Sequence, residues 1–412
     1  MFLRKRVIDR LRKRQRVSIK HHIKGEYRVM TERKLTTAIN EIGVAVDVGS
    51  TSIGVCCVDL IHKTEILSFS FANPQYIYGA DVVTRIKHCL DNRDDAKKMK
   101  ALVEDALQEK LSEKLGIDYQ HIRRIVYSGN TVMLHILRGL SVEGLAYAPF
   151  KPMDIEYYES KGFLCEQNDV TKPKDCEVVY SYLPGFSAFV GADILSGAWF
   201  LQMGQHTSYD LLIDLGTNGE MLLLNKEKGF ATSTACGPVF DHVINGAKYG
   251  SESIKVIANC VKRGLIDETG KLVDTLFEKG ILIDKNFTIK QENIRNLQLA
   301  KGAIYAGIQC LLEKAGITAE DVTKVYVCGG LGFYLDKRDA FALKMLPKEF
   351  ADKIIVSGNT SLEGAKRFLL SDRAKRVEIL KMWDNICKCT KSFELATCER
   401  FQEIYLNSLD FI

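Results

Sequence analysis

Apolar runs along the chain end repeatedly in an acidic residue and a glycine-rich turn. Val44–Val48 predicts a buried strand that carries Asp47 and enters the turn Gly49-Ser50-Thr51-Ser52, and Ile53–Val58 predicts the strand that leaves it. Such a turn can direct backbone N–H groups and small hydroxyls at a phosphate, with the aspartate beside a metal ion. Alone, the motif suits an ordinary hairpin equally well.

A second copy of the motif changes the interpretation. Leu211–Leu224 repeats the plan, with Asp214, the turn Gly216-Thr217-Asn218-Gly219 and then Glu220. A third apolar run, Val325–Cys328, ends in Gly329-Gly330-Leu331-Gly332. Two acidic turns and a late glycine turn predict an α/β fold in which two similar domains surround a nucleotide cleft.

The remaining periodicity predicts further elements. Further strands are predicted at 66–71, 122–127, 209–215, 218–225, 229–234, 322–327 and 352–356. Helices are predicted from Gly79 with Val82, Val83 and Ile86 facing inward, and at 94–115, 131–138, 187–201, 296–315, 361–370 and 374–408, while 254–264 and 271–276 are helical or mixed. The domains follow: a basic arm 1–41, domain I at 42–207 with an excursion at 148–182, domain II at 208–373, and a helical segment 374–412 packing back on the body.

Composition narrows the class of protein. Hydrophobic residues make up 46% and charged residues 26% of the 412, which is ordinary for a globular chain of two or three domains. No apolar run is long enough for a membrane span, and no signal peptide is evident, so we expect a cytoplasmic protein without a transmembrane segment. The 12 cysteines are then expected to be reduced core thiols.

The net charge of +5 is concentrated at the N-terminus. Residues 1–24 contain ten Lys or Arg against Asp9, a local charge of +9, so the rest of the chain is near −4 (5 − 9). The body is therefore not a nucleic-acid binder. The arm is interpreted as a solvated leader; an anionic-surface anchor or the remnant of an upstream domain are the alternatives.

Several motifs together resemble one family. They are Gly43–Thr51, Asn73-Pro74-Gln75, Gly79-Ala80-Asp81-Val82, Ser128-Gly129-Asn130-Thr131, Gly191-Ala192-Asp193, Asp214–Glu220, Ala235-Cys236-Gly237-Pro238, Ala300–Gly307, Gly329–Gly332 and Phe393–Ala396 with Arg400-Phe401. The chain resembles the actin, Hsp70 and sugar-kinase (ASKHA) superfamily, with its duplicated ribonuclease-H-like domains. Within it, from residue 42 onward, the chain is similar to the ASKHA region of the reductive activators of corrinoid proteins (RACo).

The resemblance implies ATP and Mg²⁺ as cofactors. Asp47 and Asp214 are the expected Mg²⁺ ligands, through water. The expected nucleotide ligands are Asp47, Gly49, Ser50, Thr51, Ser52, Asp214, Gly216, Thr217, Asn218, Gly219, Lys301, Gly329, Gly330 and Gly332.

Some of these residues have alternative interpretations. Asp193 is the candidate catalytic acid or base and Glu220 its rival. Asp193 could equally be a helix cap, and Lys301 could snorkel instead of reaching a phosphate. Gly329–Gly332 could be a plain strand–helix junction.

The resemblance also implies a function. An ATP-dependent activator would help to reduce the cob(II)amide of a corrinoid partner protein to cob(I)amide. Members of the family carry an N-terminal ferredoxin domain, whereas residues 1–42 contain no cysteine, so we expect no iron–sulfur cluster and a separate low-potential electron donor. The alternatives are a small-molecule kinase with Asp193 as base and a non-catalytic nucleotide-gated module; a homodimer stays open.

A cysteine group near the end has two interpretations. Cys387, Cys389 and Cys398 could supply three thiolates to a cluster, but their spacing fits no ferredoxin pattern. Structural thiols are the favoured interpretation.

Overall fold

The computed structural model describes residues 41–115, 121–163, 177–236, 250–284 and 287–411. The predicted basic arm lies outside these residues. So do residues 237–249, which hold the second half of the Ala-Cys-Gly-Pro motif.

The first half is built on a six-stranded sheet. Its strands, β1 to β6 in chain order, are Ile42–Val48, Ser52–Asp59, Thr64–Ala72, Ile122–Gly129, Tyr158–Phe163 and Glu177–Tyr182. They lie in the order β3-β2-β1-β4-β6-β5, with β1 antiparallel to β2 and parallel to β4. Apolar side chains on both faces of β1 are buried, because a central strand of such a sheet is covered on both sides.

The second half repeats this sheet. Its strands β7, β8, β9, β12, β13 and β14 are Tyr209–Leu215, Gly219–Leu224, Gly229–Thr234, Val322–Cys328, Ile354–Val356 and Thr390–Ser392. They lie in the order β13-β12-β7-β8-β9-β14, so β9-β8-β7-β12-β13 matches β3-β2-β1-β4-β6. The predicted duplicated α/β fold is confirmed. Strands β10 and β11, Ile281–Asp284 and Phe287–Ile289, form a separate hairpin.

The helices surround these sheets. In chain order α1 to α13, they are Val82–Asp91, Arg93–Leu115, Thr131–Arg138, Glu143–Ala146, Ala192–Phe200, Gly250–Lys262, Asp274–Phe277, Gln291–Ala315, Gly329–Tyr334, Lys337–Ala342, Thr360–Leu369, Arg373–Cys389 and Phe401–Asn407. On α2 the predicted apolar stripe is confirmed, because its members Met99, Val103, Leu107 and Leu111 are buried.

Two helices, α5 and α11, pack tightly against each other at the junction of the halves. A Cβ added to Gly364 of α11 would lie 2.3 Å from the carbonyl oxygen of Ser196 in α5. A Cβ added to Gly197 of α5 would lie 2.6 Å from Thr360 Oγ1. Helix α11 belongs to the predicted second domain by sequence, yet it packs against β1 and β4 of the first sheet.

Three local predictions are wrong. The helix predicted at 187–201 begins only at Ala192, because the Ser187 hydroxyl accepts from the Val190 N–H and closes a turn. The segment 374–408 is interrupted by β14, which pairs parallel with β9. On α1, Val83 is 72% exposed instead of facing inward, and Arg85 is fully buried.

The excursion 148–182 contains short strands, as expected for this segment. Its described part contributes β5 and β6, and β6 pairs parallel with β4 inside the first sheet. Within the described part of the chain, every helix is too short or too polar to span a lipid bilayer.

Candidate functional site

Asp47 lies at the end of β1 and is held by donors from the other half of the chain. Asn359 Nδ2 donates to Asp47 Oδ2 at 2.8 Å, and Ser361 Oγ donates to Asp47 Oδ1 at 2.7 Å. Asn359 also caps α11, its side-chain oxygen accepting from the Leu362 N–H at 2.8 Å. Burial raises the pKa of Asp47, whereas the two donated hydrogen bonds lower it.

Asn359 and Ser361 were missed by the sequence analysis. The sequence does contain a motif that could have identified them, because Ser357-Gly358-Asn359-Thr360 repeats the sequence Ser128-Gly129-Asn130-Thr131. Each copy places an asparagine at the N-cap of a helix that follows a strand. The second copy therefore marked α11 as the counterpart of α3.

Asp214 occupies the matching position at the end of β7, but it has fewer partners. The Cys328 thiol, 3.4 Å away, donates to Asp214 Oδ2. Burial, and then the negative charge of Asp47, raises the pKa of Asp214 to about 6. Asp47 and Asp214 therefore lie close enough for the charge of Asp47 to act on Asp214.

The two glycine turns meet across the junction. Thr51 Oγ1 of the first turn and Thr217 Oγ1 of the second are 2.6 Å apart and hydrogen bonded. This hydrogen bond is exposed, so a ligand entering between the halves can reach both hydroxyls. The two sets of predicted phosphate ligands, 49–52 and 216–219, are therefore brought together, although their binding of nucleotide stays a prediction.

Asp193 and Glu220 complete a group of four carboxyl residues with Asp47 and Asp214. Asp193 lies in the first turn of α5, and Glu220 lies directly opposite Asp214 in the β7–β8 pairing. Burial, and then the charges of Asp214 and Asp47, raises the pKa of Asp193 to about 8. We call these four residues the carboxylate cluster.

Glu220 is the most enclosed member of the carboxylate cluster. Only 6% of its surface is exposed, and its Oε1 has no hydrogen-bond partner among the described residues. Burial, and then the charges of Asp193 and Asp214, raises its pKa well above the usual value. Glu220 therefore holds its proton more tightly than an ordinary glutamate does.

The third glycine turn packs onto the second. Gly329 has a φ of +82°, and a Cβ there would lie 2.2 Å from Asp214 Oδ1, so only glycine fits. A Cβ on Gly330 would meet nothing within 4 Å, whereas one on Gly332 would lie 3.0 Å from Val327 Cγ1. This arrangement leaves open space over Gly330, next to the carboxylate cluster.

Lys301 is not brought to either turn, which corrects its predicted role as a phosphate ligand. It is fully buried in α8, and its ammonium donates to the carbonyl oxygen of Asp410 and lies 5.4 Å from the centre of the Phe411 ring. Burial, and then the nearby charge of Lys344, lowers its pKa to about 7. Its partners belong to the end of the chain, so we remove it from the candidate ligands.

The three cysteines near the end of the chain do not converge. Cys398 packs with Cys310 and Leu395, whereas Cys389 packs in the cluster under β7 and β8. Cys387 Sγ lies 3.8 Å from the carbonyl oxygen of Gly185. Within the described residues no three His, Cys, Asp or Glu side chains are grouped closely enough to bind a metal directly.

A cavity of about 1020 Å³ opens beside the second turn. Helix α1 and the segment 145–150 line it from the first half, and α8 with residues 393–405 lines it from the second. Asn218 of the second turn and Cys236 also reach it. The described lining is mostly apolar, as in most binding pockets.

Known proteins resemble the chain along most of its length. A corrinoid activation enzyme, RamQ, from Eubacterium limosum is 28% identical over 90% of this chain and 70% of its own length. A [Co(II) methylated amine-specific corrinoid protein] reductase from Methanosarcina barkeri is 22% identical over 90% of this chain and 77% of its own.

A solved structure, a reductive activator for corrinoid,iron-sulfur protein, shares the fold with a TM-score of 0.78 and 25% identity, covering 91% of this chain and 67% of that one. Two family descriptions match: the RACo middle region at residues 42–206, and the C-terminal ASKHA domain of RACo at 208–246 and 243–412. Together they cover nearly all of the chain after residue 41, and the chain belongs to the RACo family.

Proposed function

We propose that this protein is an ATP-dependent activator that supports the reduction of a corrinoid partner protein from Co(II) to Co(I). The observation that supports this most directly is the meeting of the two glycine turns at Thr51 and Thr217, in a chain of the RACo family. One electron passes from a separate low-potential donor to cobalt, so the donor is oxidised as cobalt is reduced.

The glycine turns would bind the phosphates of ATP, and the carboxylate cluster would bind Mg²⁺. The N–H and hydroxyl groups of Ser50, Thr51 and Thr217 would bind the phosphates. Asp47 and Asp214 would hold Mg²⁺ through water, since the described carboxylates are not grouped for direct ligation. The bound Mg²⁺ would supply positive charge against the phosphate oxygens.

Asp193 would accept the proton of the attacking water. Its pKa of about 8 makes it a stronger base than an ordinary aspartate once it is deprotonated. Glu220 remains the rival for this role. Burial raises the pKa of Glu220 well above its ordinary value, which suits a proton donor better than a base.

Three hydrogen-bonded hydroxyls would connect the nucleotide site to the junction of the halves. Ser361 Oγ contacts both Asp47 Oδ1, at 2.7 Å, and Ser128 Oγ, at 2.9 Å. Ser128 Oγ is in turn 2.9 Å from Ser196 Oγ of α5. A change in the charge of Asp47 would therefore alter the hydrogen bond to α11 and, through Ser128, the hydrogen bond to α5. These two helices join the halves.

A small-molecule kinase is the second candidate, because the Asp193 carboxylate lies where a kinase would need its base. A kinase for a polar metabolite needs several polar groups that converge on the substrate. The cavity beside the second turn is mostly apolar and offers few such groups, so the kinase stays the second candidate.

An anaerobic spectral assay tests the proposal. The full chain is mixed with a candidate Co(II) corrinoid protein and an artificial reductant, with ATP present or absent. We expect Co(I) to form faster with ATP, and Asp214→Asn to abolish the ATP effect. Asp274→Asn is the matched control, since Asp274 lies in α7 and 88% of its side chain is exposed. Phosphorylation of a screened metabolite, with no ATP effect on any corrinoid protein, would establish the kinase instead.

A further inference from the structure

Arg85 is a fully buried cation that lies directly behind the first glycine turn. Its guanidinium donates from Nη2 to the carbonyl oxygen of Ser50 at 2.6 Å, from Nε to that of Gly79 at 3.1 Å, and from Nη1 to Gln75 Oε1 at 3.2 Å. All three acceptors are neutral. Burial lowers the pKa of Arg85 to about 10, with the charge of Asp81 opposing, so Arg85 stays positively charged at pH 7.

Asn73 holds the same turn on either side of the Arg85 contact. Asn73 Nδ2 donates to the carbonyl oxygen of Gly49 at 2.8 Å, and the Asn73 N–H donates to that of Thr51 at 2.8 Å. Three successive carbonyls of the turn are thus bound from behind. In a trans peptide the N–H points opposite to the preceding carbonyl, so the N–H groups of Ser50 and Thr51 face away from Arg85 and Asn73.

These two N–H groups have no acceptor among the backbone hydrogen bonds of the described turns and loops. Successive N–H groups that point to one side of a turn form an anion-binding concavity. A positive charge behind them, screened little by water, adds attraction that increases with the charge of the anion.

We propose that Arg85, assisted by Asn73, is a positioning residue for the phosphates of the nucleotide, an inference that rests on the proposed function. It fixes the first turn with its N–H groups outward and places a positive charge behind them. It does not touch the ligand itself, because the turn lies between them.

The local sequence explains why this arrangement is rigid. The Asn73 side-chain oxygen accepts from the Gln75 N–H at 2.9 Å, which directs its Nδ2 at the turn. Gln75 Nε2 donates to the carbonyl oxygen of Met99 at 3.0 Å, which directs its Oε1 at Arg85. Asn73-Pro74-Gln75 and Arg85 therefore act as one unit, and its task is to support the first turn.

The test is the dependence of affinity on phosphate number. Titration calorimetry on the full chain compares Mg·ATP, Mg·ADP and AMP. We expect Arg85→Met to weaken Mg·ATP about tenfold, Mg·ADP less and AMP least, because the number of phosphates that can lie against the first turn falls in that order. Arg85→Lys keeps the charge and should recover part of the Mg·ATP affinity. In ATP hydrolysis, KM should rise while kcat changes little.

Arg138→Met is the matched control. Arg138 is also an arginine with a buried side chain, 7% exposed, but it pairs with Asp154 at the end of α3. Its loss should lower stability without changing the ratio of ATP to AMP affinity. If Arg85→Met is too unstable to titrate, the same ratio is read from Arg85→Lys, whose shorter side chain should still weaken Mg·ATP more than AMP.

Two results would overturn the inference alone: an equal loss for all three nucleotides, or the same change of ratio in Arg138→Met. A wild-type chain that binds no Mg·ATP would overturn the inference and the proposed function together. A wild-type chain that binds Mg·ATP with the expected Arg85 dependence, but supports no corrinoid reduction, would overturn only the proposed function.

Discussion

The two glycine turns share one sequence plan but differ in what supports them. Asp47 in the first half accepts two strong hydrogen bonds, from Asn359 and Ser361, whereas Asp214 in the second half accepts one from a thiol. The first turn is also bound from behind by Arg85 and Asn73. A duplicated motif therefore yields a fixed turn and a freer one, and the freer carboxylate has lone pairs left for a ligand.

The largest expected effect is on ATP turnover, and it distinguishes Asp214 from Asp47. Asp214→Asn should lower ATP turnover by about 100-fold, since it removes charge where a ligand would be bound. Its melting temperature should not fall, because the substitution also removes a buried charge repelled by Asp47. Steady-state hydrolysis and thermal unfolding on the same preparation measure both quantities.

Asp47→Asn provides the contrast. Its amide would present a donor to Asn359 or Ser361, both of which donate to Asp47. We expect a loss of turnover together with about 1–3 kcal/mol of folding stability. Equal changes of folding stability in Asp47→Asn and Asp214→Asn would contradict the conclusion that Asp47 is held by more hydrogen bonds than Asp214.

The second effect concerns the glycines that open the two turns. A Cβ on Gly49 would lie 2.9 Å from the carbonyl oxygen of Ser52, whereas a Cβ on Gly216 would meet nothing nearer than Asp214 Oδ1 at 3.6 Å. Gly49→Ala should therefore cost about 1–3 kcal/mol, and Gly216→Ala less than about 0.5 kcal/mol. Urea unfolding measures both, and a larger cost at Gly216 would refute the assignment of the fixed turn.

The third effect is a pH dependence of folding stability that arises in the carboxylate cluster, where acidic residues of both halves interact. The pKa of Asp193 is about 8 in the folded chain, against 3.8 as its ordinary value. Between these values the folded state binds the proton more tightly, so this residue's contribution to stability falls as pH rises from about 4 to 8. Asp193→Asn should flatten that fall in urea midpoints taken at several pH values. An unchanged slope would show that Asp193 is ionised at neutral pH.

The smallest effect concerns the hydrogen bond that joins the turns. Thr51→Ala and Thr217→Ala should each cost little, and a double-mutant cycle should give a coupling of about 0.5–1 kcal/mol. Thr51→Ser keeps the hydroxyl and serves as the control. Strictly additive costs would mean that the turns do not meet in solution.

The fold could be predicted where the pattern is local. The two strand–turn–strand units and the stripe on α2 repeat at short range, so their periodicity is readable in the sequence. Strand β14, Thr390–Ser392, was not readable, because three residues carry no periodicity and its partner β9 lies far away in the chain. The position of α11 on the first sheet depends equally on long-range packing.

The site was predictable in its acids and less so in its other parts. Asp47, Asp193, Asp214 and Glu220 could be singled out because carboxylates next to glycine turns are an unusual local pattern, and the structure brings the four together; their roles stay a prediction. Lys301 was wrong as a phosphate ligand, since a lysine on an apolar helix has the same local pattern whether it meets a ligand or, as here, a distant backbone carbonyl.

The positions of α11 and β14 in the fold have a consequence for folding during translation. Helix α11 covers a sheet whose strands precede residue 183, and β14 extends a sheet that begins at residue 209. During synthesis, the part of the early sheet that α11 covers stays exposed until α11 has left the ribosome. The first half therefore cannot complete its packing before residues 360–369 are made, unlike a domain whose core is contiguous in sequence. The first half is therefore the part that most needs protection from aggregation while the second is being translated.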